Sequence, residues 1–375
     1  MFLASSRTLE EIRKAKEEGA LPQALLFAGP RNSGRLTSAL DLAFSLSGNR
    51  NGRRTLSSDN IVFLPERNFA LPLRASYALL EAHPSDRYKY FFIETVRSIL
   101  LQYHPALQKD GHDSKDKYFE TAGQVDEMLN AFQDLGCEDK GFKELAGRIM
   151  DLSSRDDFMF KGKKRGGISV DDIRNVQNYV SVGENLKFII LENIESSTEA
   201  TRNALLKVLE EPPKGAYFIL ISDNPQRILQ TILSRVRKFT FLPPSKDHLN
   251  ECLRDRFLTY RNYSDMDEFF YETMLSEGER AELEKIAGTY LESLMTGNLP
   301  DVRDENQMFT TIEKDKGLDY FLSLVEKGME KAFREGRISP YEAKRRMKLL
   351  SGMTVNREVY NQNVRVGLDL ALREV

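Results

Sequence analysis

Five short apolar runs that do not alternate with polar residues limit what this 375-residue chain can fold into. They are ALLFA at 24–28, IVFL at 61–64, FIIL at 188–191, YFILI at 217–221 and FTFL at 239–242. A strand with one wet face alternates, whereas a strand that is apolar on both sides is covered by helices above and below. Helical patterns lie between several of the runs. The spacing therefore predicts an α/β fold, an open parallel sheet with helices on both faces.

The clearest helix follows FIIL. Ser196 and Glu199 have the spacing of a capping box, and Ala200, Ala204, Leu205, Val208 and Leu209 recur with helical period. Glu210-Glu211-Pro212-Pro213 ends it, because proline cannot continue a helix and constrains the residue before it. Residues 68 to 167 interrupt the strand rhythm and read as a helical insertion. Phe91, Phe92, Thr95, Val96, Ile99, Leu100 and Tyr103 mark one amphipathic helix in it, and Val125, Met128, Leu129 and Phe132 another. The insertion closes on the basic loop Lys161-Gly-Lys-Lys-Arg-Gly-Gly167. Beyond Pro243-Pro244 the strand pattern disappears and residues 245–375 read as helices. A break lies near Thr296–Pro300, and the last helix carries Val364, Leu368, Ala371, Leu372 and Val375 on one face.

Composition removes several function classes. The 54 basic and 57 acidic residues leave a net charge of −3, so no global basic field points to nucleic acid. Two distant cysteines, Cys137 and Cys252, exclude a disulfide framework and a four-cysteine zinc site, and suit a reducing compartment. His83, His104, His112 and His248 have no metal-ligand spacing, so no metal site is expected. The opening Met-Phe-Leu-Ala-Ser-Ser-Arg lacks the long apolar region of a secretory leader, and no run approaches the ~20 residues of a membrane span. The expectation is a cytoplasmic protein without a membrane partner.

Gly29-Pro-Arg-Asn-Ser-Gly34-Arg35-Leu36-Thr37 follows the first strand and opens a helix. A phosphate loop, G-x-x-x-x-G-K-[ST], works because glycines let backbone N–H groups curl around phosphate oxygens at a helix N-terminus. Its lysine neutralises the outer phosphates and its hydroxyl binds magnesium. Here the glycines keep their spacing, Arg35 replaces the lysine, Leu36 cannot bind a metal and Thr37 comes one residue late. Two readings stand: a relic phosphate loop, or a strand–turn–helix whose glycines serve turn geometry alone. At the end of FIIL, Glu192 keeps a carboxylate that could hold a metal, but Asn193 is a poor activator of water at neutral pH. Leu36, Asn193 and a marginal Arg35 all fall on one chemical step. That is the pattern of a fold kept after hydrolysis was lost.

Residues 187–244 resemble the clamp-loader branch of the AAA+ proteins. The landmarks are Asn203-Ala-Leu-Leu-Lys207, Leu209-Glu-Glu-Pro-Pro213, Ser234-Arg235 and the Pro-Pro after the last strand. Leu21-Pro-Gln-Ala-Leu-Leu26 looks like the family's entry to the phosphate loop, and Ile168-Ser-Val-Asp-Asp-Ile-Arg174 like its following helix start. In that family Glu192-Asn193 stands where an Asp-Glu pair is usual. Ser234-Arg235-Val236 stands where Ser-Arg-Cys supplies an arginine finger to ATP on the neighbouring subunit. The alternative for Arg235 is a surface arginine before an edge strand. Ser222-Asp223-Asn224 occupies the place of a phosphate sensor, or simply ends a strand. The second sensor's arginine is replaced by Pro300, counted from Gly297.

The resemblance implies three parts: residues 1–243 a degenerate AAA+ domain carrying the insertion, 244–300 a small helical lid, and 301–375 an all-α collar that holds subunits in a ring. It implies a non-hydrolysing subunit of the bacterial DNA polymerase III clamp loader, with Arg235 and Ser234 acting in trans. Gly29, Gly34, Arg35, Thr37 and Glu192 would be a vestigial nucleotide site. ATP would be held by neighbours and at most weakly here. Implied partners are gamma/tau and delta subunits, the sliding clamp indirectly, and primed DNA through the assembly. One competing reading is a slow ATPase of the gamma/tau kind using Arg35 and Glu192. The other is a DNA-binding module that uses the basic loop of Lys161, Lys163, Lys164 and Arg165 on the DNA backbone; the bland reading of this run, and of Arg50, Arg53 and Arg54 and of Lys344, Arg345, Arg346 and Lys348, is a solvated face.

Overall fold

All five apolar runs become strands of one parallel sheet in the computed structural model, which describes residues 6–48, 60–108, 116–159, 167–183, 185–298, 308–312, 317–342, 344–346 and 364–373. The strands are β1 (Ala24–Ala28), β2 (Ile61–Leu64), β3 (Lys187–Glu192), β4 (Ala216–Ser222) and β5 (Arg237–Thr240), in the spatial order β2-β3-β4-β1-β5. The last of them begins two residues earlier than the apolar pattern suggests. Arg237 and Lys238 are exposed there, and edge position on β1 rather than hydrophobicity recruits them. The order makes β1 and β4 neighbours although most of the unit separates them in sequence, and puts β1 between β4 and β5. Pairing runs Ala24 with Phe218 to Ala28 with Ser222, and Leu25 with Arg237 to Ala28 with Thr240.

Alternate residues of each strand point to opposite faces, and over β1 to β4 both faces are dry. Leu25, Phe27, Ile61, Phe63, Phe188, Ile190, Ile219 and Ile221 pack with α1 (Ser6–Glu17) and α2 (Arg35–Leu46). Ala24, Leu26, Val62, Leu64, Ile189, Leu191, Phe218 and Leu220 pack with α8 (Val170–Ser181), α9 (Glu199–Glu210) and α10 (Gln230–Leu233) on the other. The α/β expectation is borne out, and for β1 to β4 the reason is the one given by the pattern: each of these strands is covered twice, while the edge strand β5 buries only Phe239.

The insertion adds α3 (Ala70–Ala82), α4 (Asp86–Leu100), α5 (Asp116–Asp134), α6 (Phe142–Ser153) and α7 (Asp156–Met159). It is not an appended module. Leu73, Phe92, Val96, Ile99, Val125, Leu129, Phe132, Phe142 and Ile149 belong to the same core as the α1/α2 face of the sheet. Within the insertion, the buried Lys89 and Arg97 of α4 donate to neutral acceptors: Lys89 Nζ to the Gln133 and Leu135 carbonyls at the C-terminal end of α5, and Arg97 Nη2 to Asn130 Oδ1 and Gln133 Oε1.

One local expectation is corrected. The N-cap of α9 is Thr198, whose hydroxyl accepts from the Thr201 N–H at 3.2 Å, while Ser196 lies in a preceding 3₁₀ turn and forms no capping box with Glu199. The turn at Ile194–Ser196 shifts the helix start two residues on. At α8 the expected start is present, with Ser169 and Asp172 in a reciprocal capping box.

The chain divides into two units, Met1–Glu268 and Phe269–Val375. The first includes α11 (Lys246–Phe257), whose end meets the insertion where Tyr88 Oη donates to the Phe257 carbonyl at 2.8 Å. Helix α12 (Met266–Met274) spans the division. The second unit is helical among its described residues, with α13 (Glu277–Thr296), α14 (Gly317–Arg334) and α15 (Val364–Arg373). Gly297 adopts the left-handed conformation that ends α13. Tyr290 from α13, Phe321 from α14, and Leu368 and Leu372 from α15 are fully buried in it. No described helix is long and apolar enough to cross a membrane.

Candidate functional site

In an open parallel sheet the crevice at the carboxyl ends of the strands is where ligands bind. Four connections meet there: the loop after β1, the segment after β2, the turn after β3 and the end of β4. The sequence singles out three of them.

The loop after β1 keeps the curl of a phosphate loop. Gly34 caps α2 at φ 84°, and Asn32 is also left-handed at φ 57°. Ser33 Oγ donates to the Pro30 carbonyl at 2.7 Å and pins the loop from inside. Gly29 is fixed by packing: a Cβ there would lie 2.2 Å from the Phe241 carbonyl oxygen. Leu36, at the metal-binding hydroxyl position, is buried in the core on the α1/α2 face. Thr37 is half-buried one residue further on.

Arg35 is only 6% exposed, and its Nη1 is buried without a hydrogen-bond partner. Burial holds its pKa below the usual arginine value. Asp223 opposes that shift, Arg67 reinforces it, and Glu192 and Glu195 oppose it more weakly. These residues therefore share one electrostatic neighbourhood, with carboxylates from after β3 and β4 facing guanidiniums from after β1 and β2.

Glu192 ends β3 and is 4% exposed. Its carboxylate is fully engaged. Arg67 Nε lies 2.8 Å from Oε1 and 3.0 Å from Oε2, Arg67 Nη2 also donates to Oε1, and the Glu66 N–H donates to Oε2 at 3.3 Å. A fork on a carboxylate is the strong geometry for such a pair. The next residue, Asn193, is left-handed at φ 51°, a conformation asparagine tolerates better than most residues. Its N–H extends the ladder to the Ile221 carbonyl, and its own carbonyl accepts from Ser196.

Ser222, in the sensor position, donates its hydroxyl to Glu195 Oε1 and accepts the Asn224 N–H at 3.1 Å. Glu195 Oε2 is buried without a partner. Asp223 lies 3.7 Å from the exposed Arg31. The crevice thus brings together Gly29, Gly34, Arg35 and Glu192, and adds Arg67 and Glu195, which sequence reasoning missed. Neither sits in a motif. The one available signal for Arg67 was its place three residues past an apolar run.

These residues do not fit magnesium–ATP. The hydroxyl ligand is a core leucine, the acidic ligand is neutralised by a guanidinium, and the water-activating position is an amide. What remains suited to an anion is the loop's curl and the unpartnered Nη1 of Arg35. Among the described residues no cluster of histidine, cysteine or carboxylate has the form of a metal site.

Arg235 and Ser234 are not in this crevice. Arg235 precedes β5, and the register sets Arg237 beside Leu25, at the start of β1. Gly29 lies past the other end, on the order of 13 Å further along the strand at ~3.3 Å per residue. Arg235 is therefore at the amino-end edge of the sheet. Its Nη2 donates to Glu210 Oε1 and its Nη1 to the Thr231 carbonyl at 2.6 Å and to Ser234 Oγ at 3.4 Å. The same edge is tied by Gln23, whose Nε2 donates to the Pro213 carbonyl at 2.6 Å and the Ala216 carbonyl at 2.7 Å. Two stretches that carry the family resemblance, Leu21–Leu26 and Leu209–Pro213, thus meet where β1 and β4 begin.

Of the basic runs, residues 50–54, residues 161–165 and Lys348 lie outside the described residues, as does Pro300. Lys344 and Arg345 are exposed, and Arg346 lies 4.0 Å from Glu342.

Residues 122–245 match the family model described as DNA polymerase III, delta subunit. A DNA polymerase III subunit delta' of Buchnera aphidicola subsp. Baizongia pistaciae is 36% identical over 93 residues, covering 24% of this chain and 27% of that protein. Its counterpart in Haemophilus influenzae is 30% identical over 141 residues, 35% of this chain and 43% of that one. The gamma/tau subunit of Mycobacterium bovis is 38% identical over 80 residues, 20% and 14% of the two chains. The chain spans less than half the length of these relatives. The family-model match contains Glu192, Glu210 and Arg235 and stops short of the loop at Gly29. The clamp-loader resemblance is borne out, and within it the chain is similar to delta-prime subunits.

Proposed function

We propose that this relative of the delta-prime subunits is a non-hydrolysing subunit of a DNA polymerase III clamp loader, which braces a neighbouring gamma/tau-type ATPase and donates Arg235 to that subunit's ATP. The assembly, with delta, would open the sliding clamp for loading on primed DNA in the cytoplasm. Residues 244–300 and 301–375 would serve as lid and collar. The observation that carries this reading is the separation of Arg235 from the Gly29 loop by the length of β1. A guanidinium at the amino-end edge cannot serve its own chain's phosphate loop, but it is exposed enough to meet a neighbour's. An arginine finger supplied in trans stabilises charge on the transferring phosphoryl group and is worth a factor of about 10³–10⁵ in systems that rely on it. The Arg67–Glu192 pair supports the companion half of the reading, that this crevice activates no water.

The test is ATP turnover by the reconstituted assembly with Arg235→Ala, at matched amounts of assembled complex. Hydrolysis stimulated by primed DNA and clamp falls at least about tenfold while the lone chain melts as before; unchanged turnover rejects the finger. The unpartnered Nη1 of Arg35 favours a second reading, a slow gamma/tau-like ATPase. Titration of the lone chain with a fluorescent ATP analogue, with and without magnesium, decides it. Micromolar, magnesium-dependent binding with phosphate release establishes the second reading at the cost of the first.

A further inference from the structure

We propose that Glu210 is the positioning residue for Arg235, holding its guanidinium in place for a neighbouring subunit's triphosphate. The proposal rests on the reading of Arg235 as a finger and adds the residue through which that finger is set.

Glu210 is the last residue of α9, in the stretch Leu209-Glu-Glu-Pro-Pro213 whose acidic residues no other part of the function uses. The prolines stop the helix there and fix where the Glu210 backbone lies. The Pro213 carbonyl is in turn held by Gln23, the residue just before β1. The carboxylate therefore sits on a helix end whose following turn is tied to the start of β1. Arg235 follows the short α10 turn, and its backbone N–H bonds back to the Ile232 carbonyl.

The guanidinium has five N–H donors in a rigid fork. Glu210 takes Nη2, and the Thr231 carbonyl and Ser234 hydroxyl take Nη1. Nε–H and the second hydrogen of Nη2 take no part in these bonds, so the group is oriented and still has donors to offer an oxyanion. Glu210 is half exposed and Arg235 about a third exposed. A pair that wet adds little to folding, and it is also too weak to act as a lock. What it supplies is order: a long side chain that has already lost its rotamer freedom does not lose it when the neighbour's phosphate arrives. For one side chain of this kind that is worth about threefold to tenfold in rate.

The experiment uses the reconstituted assembly, with turnover measured per assembled complex against ATP concentration. Arg235→Ala is the calibration, since without an effect there the finger reading itself fails, whatever Glu210 does. Given that effect, Glu210→Gln lowers kcat about threefold to tenfold and leaves KM for ATP unchanged, because the finger acts on the transition state. Glu210→Asp recovers part of the loss, and Glu210→Gln causes no further loss in the Arg235→Ala background. Three results overturn the proposal: unchanged kcat, a faster kcat that would make Glu210 a restraint, or a loss confined to the amount of complex formed. Gln is isosteric with Glu at this exposed site. If Glu210→Gln nevertheless destabilises the chain, the double-variant comparison still separates the two roles.

Discussion

Arg67 closes on Glu192 from the segment after β2, its Nε within 3.0 Å of both carboxylate oxygens. In a hydrolysing site the acidic residue at the end of this strand supports magnesium. Here an internal cation occupies it. Removing only one member of a buried pair leaves the other charge unpaired, and the Arg67 side chain, 38% exposed, lets solvent soften that cost. Arg67→Gln therefore lowers stability by about 1–2 kcal/mol. Arg67→Gln with Glu192→Gln recovers most of it. Urea melts of the four chains give the coupling, and additive losses would mean that the two residues do not act as a pair.

The first loop glycine answers to packing. A Cβ at Gly29 meets the Phe241 backbone oxygen at 2.2 Å, and a carbonyl in a strand extension cannot step aside as a flexible side chain would. Gly29→Ala costs about 2–3 kcal/mol in the lone chain with no nucleotide present. Gly34→Ala, at φ 84°, costs about 1 kcal/mol through backbone strain. If thermal melts without nucleotide show Gly29→Ala to be neutral, the spacing of these glycines has some reason other than the sheet.

Much of this fold is written in the strands, because a strand covered on both faces shows its burial directly in its composition. The crevice is harder to read. Leu36 and Asn193 depart from the phosphate-loop ATPase pattern by residue type, which a sequence shows directly. Arg67 declares nothing, since its partner lies 125 residues away and only the β2–β3 pairing brings them together. Glu195 was hidden by the 3₁₀ turn that also displaced the α9 cap to Thr198. The insertion misled in another way. Its amphipathic helices were legible one by one, but their apolar faces do not say what they pack on; they pack on one another and share one core with the α1/α2 face of the sheet.

On the proposed reading, giving this crevice the residue types of a hydrolysing site does not produce hydrolysis. Leu36→Thr puts a hydroxyl where a core leucine packs, at a cost of about 1–2 kcal/mol, and Asn193→Glu asks a left-handed position to hold a residue less suited to it. Even then Glu192 remains engaged by Arg67. The expectation is no magnesium-dependent phosphate release from Leu36→Thr with Asn193→Glu. A malachite-green assay reads this, and turnover in that variant would show that the Arg67–Glu192 pair does not close the site.

In the helical unit, Tyr290 gives a prediction about pH. Its ring is fully buried against Phe321, with centroids 5.2 Å apart, and its hydroxyl donates to the Leu368 carbonyl at 2.9 Å, joining α13 to α15. Burial, with a lesser contribution from the Asp369 charge, pushes the phenol well above the ordinary tyrosine range. In the unfolded chain the same group ionises near pH 10. Above that pH the unfolded state binds fewer protons than the folded one, so stability falls as pH rises. The contribution is complete at neutral pH and is lost from about pH 10 upward. Tyr290→Phe removes the hydrogen bond, costing about 1 kcal/mol at pH 7. It also removes this residue's share of the alkaline slope, so the two chains' stabilities converge above pH 10. Parallel urea titrations at pH 7 and pH 10.5 measure the difference, and an unchanged gap between them would mean that the buried phenol ionises in the folded protein.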